Sequence, residues 1–264
     1  VKLAAAPGTR YAYSNWAFLM LSDLLSRRAV KPYDLLLTER VLAPLGLTDT
    51  RVARNDGLVP GRMANGQRTP AWDVPAQFAG AGGLRAPLGD LLTFARAVMG
   101  DLPETAPASL RSALAVSVQR QREINSALSI GLAWHLRTRS GGGAQDAPLV
   151  FHNGMTGGFS SMLLIDVAQR RAAVVLADAA GGFDDLALHL LDPRTPLASP
   201  RRPVALDLPA ARSALGRYEL APGFVLALSV DAGTLYAQAT GQDRFELKQD
   251  SRGDYYAVVA DILV

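Results

Sequence analysis

From about Ile130 onward the apolar residues of this chain change period, and that change limits the architectures open to it. Upstream, apolar side chains recur every three or four residues, as on a helix face. Downstream, short runs of branched and aromatic residues are separated by Gly, Asn and Asp, as in strands and their turns. Residues 16–28 place Ala17, Leu21, Leu24 and Leu25 on one face and Ser22, Asp23 and Ser26 on another, which predicts an amphipathic helix capped by Ser14 or Asn15. A second helix is expected over 32–42, opened by Pro32 and stopped by Pro44 and Gly46. Gly80, Gly82 and Gly83 mark a tight loop before helices at about 88–99 and 109–116. Residues 130–137, 149–152, 160–166 and 171–178 then read as consecutive antiparallel strands. Residues 166–171 form the hairpin between the last two, and 183–191 a helix packed back on the sheet. Helices covering an antiparallel sheet make the fold class α+β.

Residues 193–209 hold Pro193, Pro196, Pro200, Pro203 and Pro209, which disfavour helix interiors and central strands. They are expected to divide a domain of residues 1–192 from a small all-β domain of residues 210–264, where 216–220, 224–230, 234–239, 245–249 and 255–264 alternate apolar and polar. The last run ends on Ile262, Leu263 and Val264 without a polar cap, so a cut within a strand is expected.

With 49% hydrophobic and 19% charged residues in 264, the chain has the balance of a folded domain rather than a disordered or coiled-coil segment. Its longest strongly apolar stretch, residues 16–25, is broken by Ser22 and Asp23 and falls short of the roughly 20 residues that a bilayer span needs. No membrane span and no signal peptide are read. The 27 basic and 24 acidic side chains are spread along the chain, which argues against a nucleic-acid partner. Lysine occurs only at Lys2, Lys31 and Lys248, and cysteine is absent, which excludes disulfides, a thiolate nucleophile and cysteine-based zinc sites.

Two clusters could carry chemistry: residues 7–15, containing Tyr13-Ser14-Asn15 at a helix start, and residues 151–159, containing His152-Asn153-Gly154 between two strands. Either can be read without function, the first as a packed aromatic followed by helix caps and the second as a histidine entering a turn. Together and in this order they resemble the second motif (Tyr-x-Asn) and third motif (Lys-Thr-Gly or His-x-Gly) of the serine β-lactamase and penicillin-binding protein superfamily. The resemblance is to the branch of class C β-lactamases, D-alanyl-D-alanine carboxypeptidases and related esterases. Residues 44–50 (Pro-Leu-Gly-Leu-Thr-Asp-Thr), Gly82-Gly83-Leu84 and Gly131-Leu132-Ala133-Trp134 are similar to further landmarks of that family. Gly216-Arg217-Tyr218-Glu219-Leu220 resembles the β-rich module often appended to it, to which no catalysis is assigned.

The resemblance implies a β-lactamase/transpeptidase-like antiparallel sheet with flanking helices, and an acyl-enzyme mechanism without metal or cofactor. The family's first motif, Ser-x-x-Lys, is missing from the sequence, because Arg28 and Phe245 stand three residues before Lys31 and Lys248. The chain is therefore expected to be an inactive fragment of a longer hydrolase, with apolar surface bare where other segments pack. By the same resemblance Tyr13 would move protons to and from the serine, and Asn15 would orient the lysine and a substrate amide. His152 would line the leaving-group side, and Asn153, Gly154 and Met155 would bind substrate, with the Met155 N–H an oxyanion donor worth roughly 3 kcal/mol. An imidazole, mostly neutral near pH 7, is a weaker anchor for a carboxylate than lysine, which favours peptide or ester hydrolysis over efficient lactam hydrolysis.

The implied partner is a small-molecule or peptide substrate, and the implied location of the full-length protein periplasmic or secreted. The competing readings are a non-catalytic β-lactamase-like binding protein, and a chain whose β module is the functional part. His135 and His189 read as isolated and lack metal-site spacing with Asp166, Asp178 or Asp184. Ser160 and Ser161 miss the Gly-x-Ser-x-Gly elbow, and Trp16, Trp72 and Trp134 read as core or pocket wall. Any hydrolase reading requires Tyr13 and His152, 139 positions apart, to meet in one cavity.

Overall fold

The computed structural model describes residues 5–52, 55–63, 66–139, 147–198, 201–221, 223–241, 243–257 and 262–263. The chain opens with helix α1 (Asn15–Ala29), followed by α2 (Tyr33–Leu37), a π turn (Thr38–Leu42) and α3 (Ala43–Leu45). Short strands β1 (Arg51–Val52), β2 (Gly61–Arg62), β3 (Arg68–Thr69) and β4 (Leu84–Arg85) form the pairs β1–β4 and β2–β3 before helices α4 (Leu88–Val98) and α5 (Ala108–Ser117). Strands β5 (Arg122–Asn125), β6 (Leu128–Ile130), β7 (His135–Arg137), β8 (Leu149–Thr156), β9 (Phe159–Asp166) and β10 (Arg171–Ala177) follow. They build one antiparallel sheet in the order β10-β9-β8-β7-β6-β5, and α6 (Asp184–Leu191) packs back on it. After β11 (Pro203–Val204) and α7 (Leu208–Ser213), a second antiparallel sheet contains β12 (Gly216–Ala221), β13 (Phe224–Asp231), β14 (Thr234–Ala239), β15 (Phe245–Asp250), β16 (Tyr255–Ala257) and β17 (Ile262–Leu263). Residues 258–261 and 264 of the run expected over 255–264 lie outside the described residues. The α+β class of the sequence analysis is thus the observed one.

Strand β9 sets the layers. Successive side chains of a strand point to opposite faces, so Leu163 and Ile165 join one core with Leu45, Ala95, Val98, Leu110, Leu114 and Trp134. Met162 and Leu164 join a second core with Ala173, Ala187 and Leu191. Helices therefore cover both faces of the strand. The turn after it is held by Asp166, whose carboxylate is 1% exposed. It accepts two hydrogen bonds from Arg139 (2.9 and 2.5 Å) and one from the Gln169 N–H (2.9 Å), with Arg171 3.6 Å away. The second sheet has its own core, in which Leu228, Leu235, Ala237, Leu247 and Ala257 pack against Ala211 of α7.

Several expectations are corrected. The stretch 130–137 is two strands, because Gly131–Trp134 is a tight turn in which the Gly131 N–H bonds the Trp134 carbonyl at 2.8 Å and Ala133 has φ +66°. The β5–β6 hairpin was not foreseen; its turn is closed by the Asn125 side chain, which accepts from the Ala127 N–H at 2.9 Å. Pro44 does not stop the second helix, which runs on through the π turn into α3, and Gly46 ends it with φ +71°. Strand β8 runs on to Thr156, so His152-Asn153-Gly154 lies within a strand rather than at its end. The proline-rich stretch carries the edge strand β11, paired with β15, and Pro209 stands in the first turn of α7.

Helix α1 is the largest correction. Leu21, Leu24 and Leu25, expected to face the core, are 45–57% exposed, and Trp16 and Met20 are exposed with them. The buried residue is Ser22. Its hydroxyl lies within donating distance of the carbonyls of Leu19 (2.8 Å) and Gln77 (3.0 Å), which share its one proton, and the turn around Gly80 comes so close that a Cβ there would stand 2.4 Å from the Phe18 carbonyl oxygen. Close approach at small residues, rather than apolar side-chain burial, seats this helix.

Ser14, and not Asn15, is the cap. Its extended backbone (φ −150°, ψ 107°) lets the hydroxyl accept the Ala17 N–H at 3.1 Å. Ser14→Ala should therefore cost about 1 kcal/mol in urea unfolding, whereas Asn15→Ala should stay within about 0.5 kcal/mol. Burial alone would raise the Asp166 carboxyl, but the Arg139 and Gln169 hydrogen bonds and the charges of Arg139 and Arg171 outweigh it and hold the group below its ordinary range. In the unfolded chain the carboxyl takes up its proton near pH 4. The Asp166 contribution is thus complete above about pH 4 and is lost as the pH falls through the folded value. Urea midpoints measured from pH 6 to pH 3 should fall less steeply for Asp166→Asn than for the wild type. Leu164→Ala, at a fully buried position, should cost about 2–5 kcal/mol.

Candidate active site

The loop before α1 is tied to the far edge of the main sheet. Arg122 on β5 donates to the carbonyls of Gly8 and Thr9, the latter at 3.1 Å. The Ser14 cap then turns the chain into the helix, so Tyr11 and Tyr13 are presented over β7 and β8. The Tyr13 ring lies 6.4 Å from the His135 ring, nearly parallel to it (20°), and 6.4 Å from the His152 ring at 41°. The two clusters singled out in the sequence therefore meet.

His135 stands at the centre. Its ring is 5.4 Å from that of His152 and 5.2 Å from that of Phe151, its direct partner in the β7–β8 register. Its Nε2 lies 3.1 Å from the Tyr11 hydroxyl, and its Nδ1 is buried without a hydrogen-bond partner. Burial, and secondarily the neighbouring His152, lowers the His135 pKa below its ordinary value. Burial, together with Tyr13, raises that of Tyr11. His135, which reads as isolated in the sequence, stands inside the cluster in the structure. The legible signal was its place directly after the Gly131–Trp134 turn. Tyr11, two residues before Tyr13, was passed over as well.

His152 is held in one tautomer. Its Nδ1 lies 2.5 Å from the Asn153 carbonyl oxygen, which can only accept, so Nδ1 carries a proton and, when the ring is neutral, Nε2 holds the lone pair. Strand alternation sends Asn153 and Met155 to the face opposite His152 and Gly154. The Asn153 amide donates to Asp184, the first residue of α6, at 2.8 Å, so part of this expected substrate-binding group ties the strand to the helix. Gly154 is paired with Ser161, whose Oγ would lie 2.9 Å from a Cβ built there. Met155 is exposed beside the Gly157-Gly158 tip, and the tip packs so closely that a Cβ on Gly157 would stand 2.7 Å from the Trp72 ring. Asn15, in the first turn of α1, is exposed.

The remaining candidates have structural roles. Ser160 is buried and accepts the Gly181 N–H at 3.0 Å. Trp134 is buried against Phe94, whereas Trp16 and Trp72 are exposed. His189 bonds the Thr195 carbonyl through Nδ1 at 2.7 Å. Among the described residues no group of three or more His, Asp or Glu is arranged to hold a metal ion, and no helix is long and apolar enough to cross a membrane.

Comparison with known proteins bears on the family and the fold. The D-alanyl-D-alanine-carboxypeptidase/endopeptidase AmpH of Escherichia coli K12 is 34% identical over 91 residues, 34% of this chain and 24% of that protein. A D-aminopeptidase of Gluconobacter oxydans is 29% identical over 82% of this chain and 42% of its own length. The crystal structure of the D-alanine carboxypeptidase AmpC from Burkholderia cenocepacia shares the fold, with a TM-score of 0.63 at 22% identity over 72% of this chain and 63% of that one. This chain thus spans less than two thirds of each of these relatives. Residues 1–192 match the Beta-lactamase family, and on that match, with an antiparallel sheet bringing Tyr13 and His152 together, the chain belongs to the Beta-lactamase family.

Proposed function

We propose that the whole protein to which these residues belong is a serine hydrolase working through an acyl-enzyme, and that Tyr13, Asn15 and His152 form its proton-transfer and substrate-orienting machinery. The observation that carries this reading is the 6.4 Å separation of the Tyr13 and His152 rings, contributed by a loop and a strand 139 positions apart. A serine hydroxyl needs a base to take its proton, and the departing group needs an acid to supply one. Tyr13 can do both if a cation favours its phenolate. The open Nε2 of His152 can exchange a proton on the leaving-group side. Met155 would lend its N–H to the oxyanion and Gly154 would let the backbone approach the substrate.

The serine and lysine would come from a Ser-x-x-Lys outside these residues, which agrees with the limited share of each relative that the chain covers. Residues 1–192 would hold the chemistry, 193–209 would act as linker, and 210–264 would serve as a non-catalytic β module. The substrate class favoured is a peptide or ester with a D-alanyl-like acyl donor, because His152 stands where lactam hydrolases of the family carry lysine. The proteins that AmpH and the D-aminopeptidase are named for support it. A substrate of that class would put the whole protein's site of action in the periplasm or outside the cell. A second reading, a binding protein that keeps the cleft without serine chemistry, is favoured by the absence of Ser-x-x-Lys from the 264 residues.

The natural reading frame decides between them: Ser-x-x-Lys encoded upstream supports the hydrolase, and its absence supports the binding protein. The 264-residue chain should take no covalent label from a β-lactam or fluorophosphonate, and a stable serine adduct on it would show the motif assignment to be wrong. In the extended protein, Tyr13→Phe should lower kcat about 10²–10⁴-fold, as expected for losing a general acid–base, with substrate affinity little changed.

A further inference from the structure

We infer that His135 is a positioning residue that stays uncharged, donating its Nε2–H to Tyr11 and bracing Tyr13 and His152. The surroundings and the protons of the His135 ring decide this. Four aromatic rings surround it, Tyr11 and Tyr13 from the loop before α1 and Phe151 and His152 from β8. Its partner on β6 is the apolar Ile130. Among the described residues the titratable groups facing it are Tyr11, Tyr13 and His152, and these supply no carboxylate. A neutral imidazole carries one N–H, and Nε2 has the Tyr11 oxygen as acceptor at 3.1 Å. Charging the ring would add an N–H at Nδ1, which is buried and has no acceptor. A cationic donor buried without a partner is among the costliest arrangements in a protein interior. The neighbouring His152 adds a further reason for His135 to remain neutral, since a positive charge there would repel a second one.

The consequence deepens the hydrolase reading and rests on it. An imidazolium stacked on Tyr13 would favour the phenolate by itself. A neutral ring does not, so activation of Tyr13 is left to the lysine of the upstream motif and the phenol becomes a base only once the complete site is assembled. His135 then acts by orientation: its hydrogen bond fixes Tyr11, and its stack fixes the plane of Tyr13 against His152.

Imidazole NMR of the 264-residue chain tests this without any nucleophile. Long-range ¹H–¹⁵N spectra recorded from pH 8 to pH 5 should show His135 in the Nε2–H form with a midpoint below the ordinary value of about 6.5. His152→Gln should move that midpoint upward by roughly half a unit or more. Tyr11→Phe should leave the fold intact and turn the single His135 tautomer into a mixture, which a residue serving only as packing would not do. An Nδ1–H tautomer, a midpoint at or above about 6.5, or indifference of the tautomer to Tyr11→Phe would each overturn the assignment. Because the spectra do not depend on acylation, an upstream frame without Ser-x-x-Lys would remove the hydrolase reading and leave this result standing. The converse also holds.

Discussion

Burial of β9 on both faces is the constraint from which the rest of the main sheet follows. Met162, Leu163, Leu164 and Ile165 alternate between two separate cores, so a one-residue slip would exchange the two sets of side chains. A strand that cannot slip fixes its neighbours. The register that pairs Phe151 with Leu164 on one side of β8 also pairs it with His135 on the other. The position of His135 and His152 under the tyrosines is therefore set by the hydrophobic packing of a neighbouring strand, in which Leu163 is the direct partner of His152. The buried Asp166 clamp holds the far end of the same strand.

Polar chemistry then refines what packing has placed. Arg122 holds the Gly8–Thr9 backbone, the Ser14 cap aims the helix start, and the Asn153 carbonyl selects the His152 tautomer. None of these contacts involves a group that would have to leave during acyl transfer. Apart from the His152 ring itself, the groups making these contacts are not among those proposed to react. Asn153 is the exception in kind: a motif position whose amide is spent partly on joining the sheet to α6 through Asp184.

Much of the fold could be read from periodicity. Helices α4 and α5, the hairpin from β9 to β10 and strands β12 to β15 stand where their apolar spacing and turn residues put them, because local patterning and turn chemistry agree there, whereas the single run expected over 255–264 holds two strands, β16 and β17, paired antiparallel to each other. The failures have one cause in common. Gly131–Trp134 interrupts a run of good strand formers because a close approach demands it: a Cβ on Gly131 would lie 2.4 Å from the Ser117 carbonyl oxygen. Ser22 is buried in α1 in place of three leucines because Gly80 lets a turn come within backbone distance. Close contacts between distant segments leave no periodic trace.

For the site, the amino-acid sequence alone was enough to determine that Tyr13-Ser14-Asn15 precedes His152-Asn153-Gly154 and that these 264 residues contain no Ser-x-x-Lys, because these are matters of residue identity and spacing. Only the tertiary structure decided that His135 and Tyr11 complete the cluster, that Asn153 faces α6, and that Ser14 rather than Asn15 caps the helix. The physical reason is that strand register, side-chain direction and hydrogen-bond assignment depend on which atoms meet across the fold, and a single chain of letters does not carry those distances.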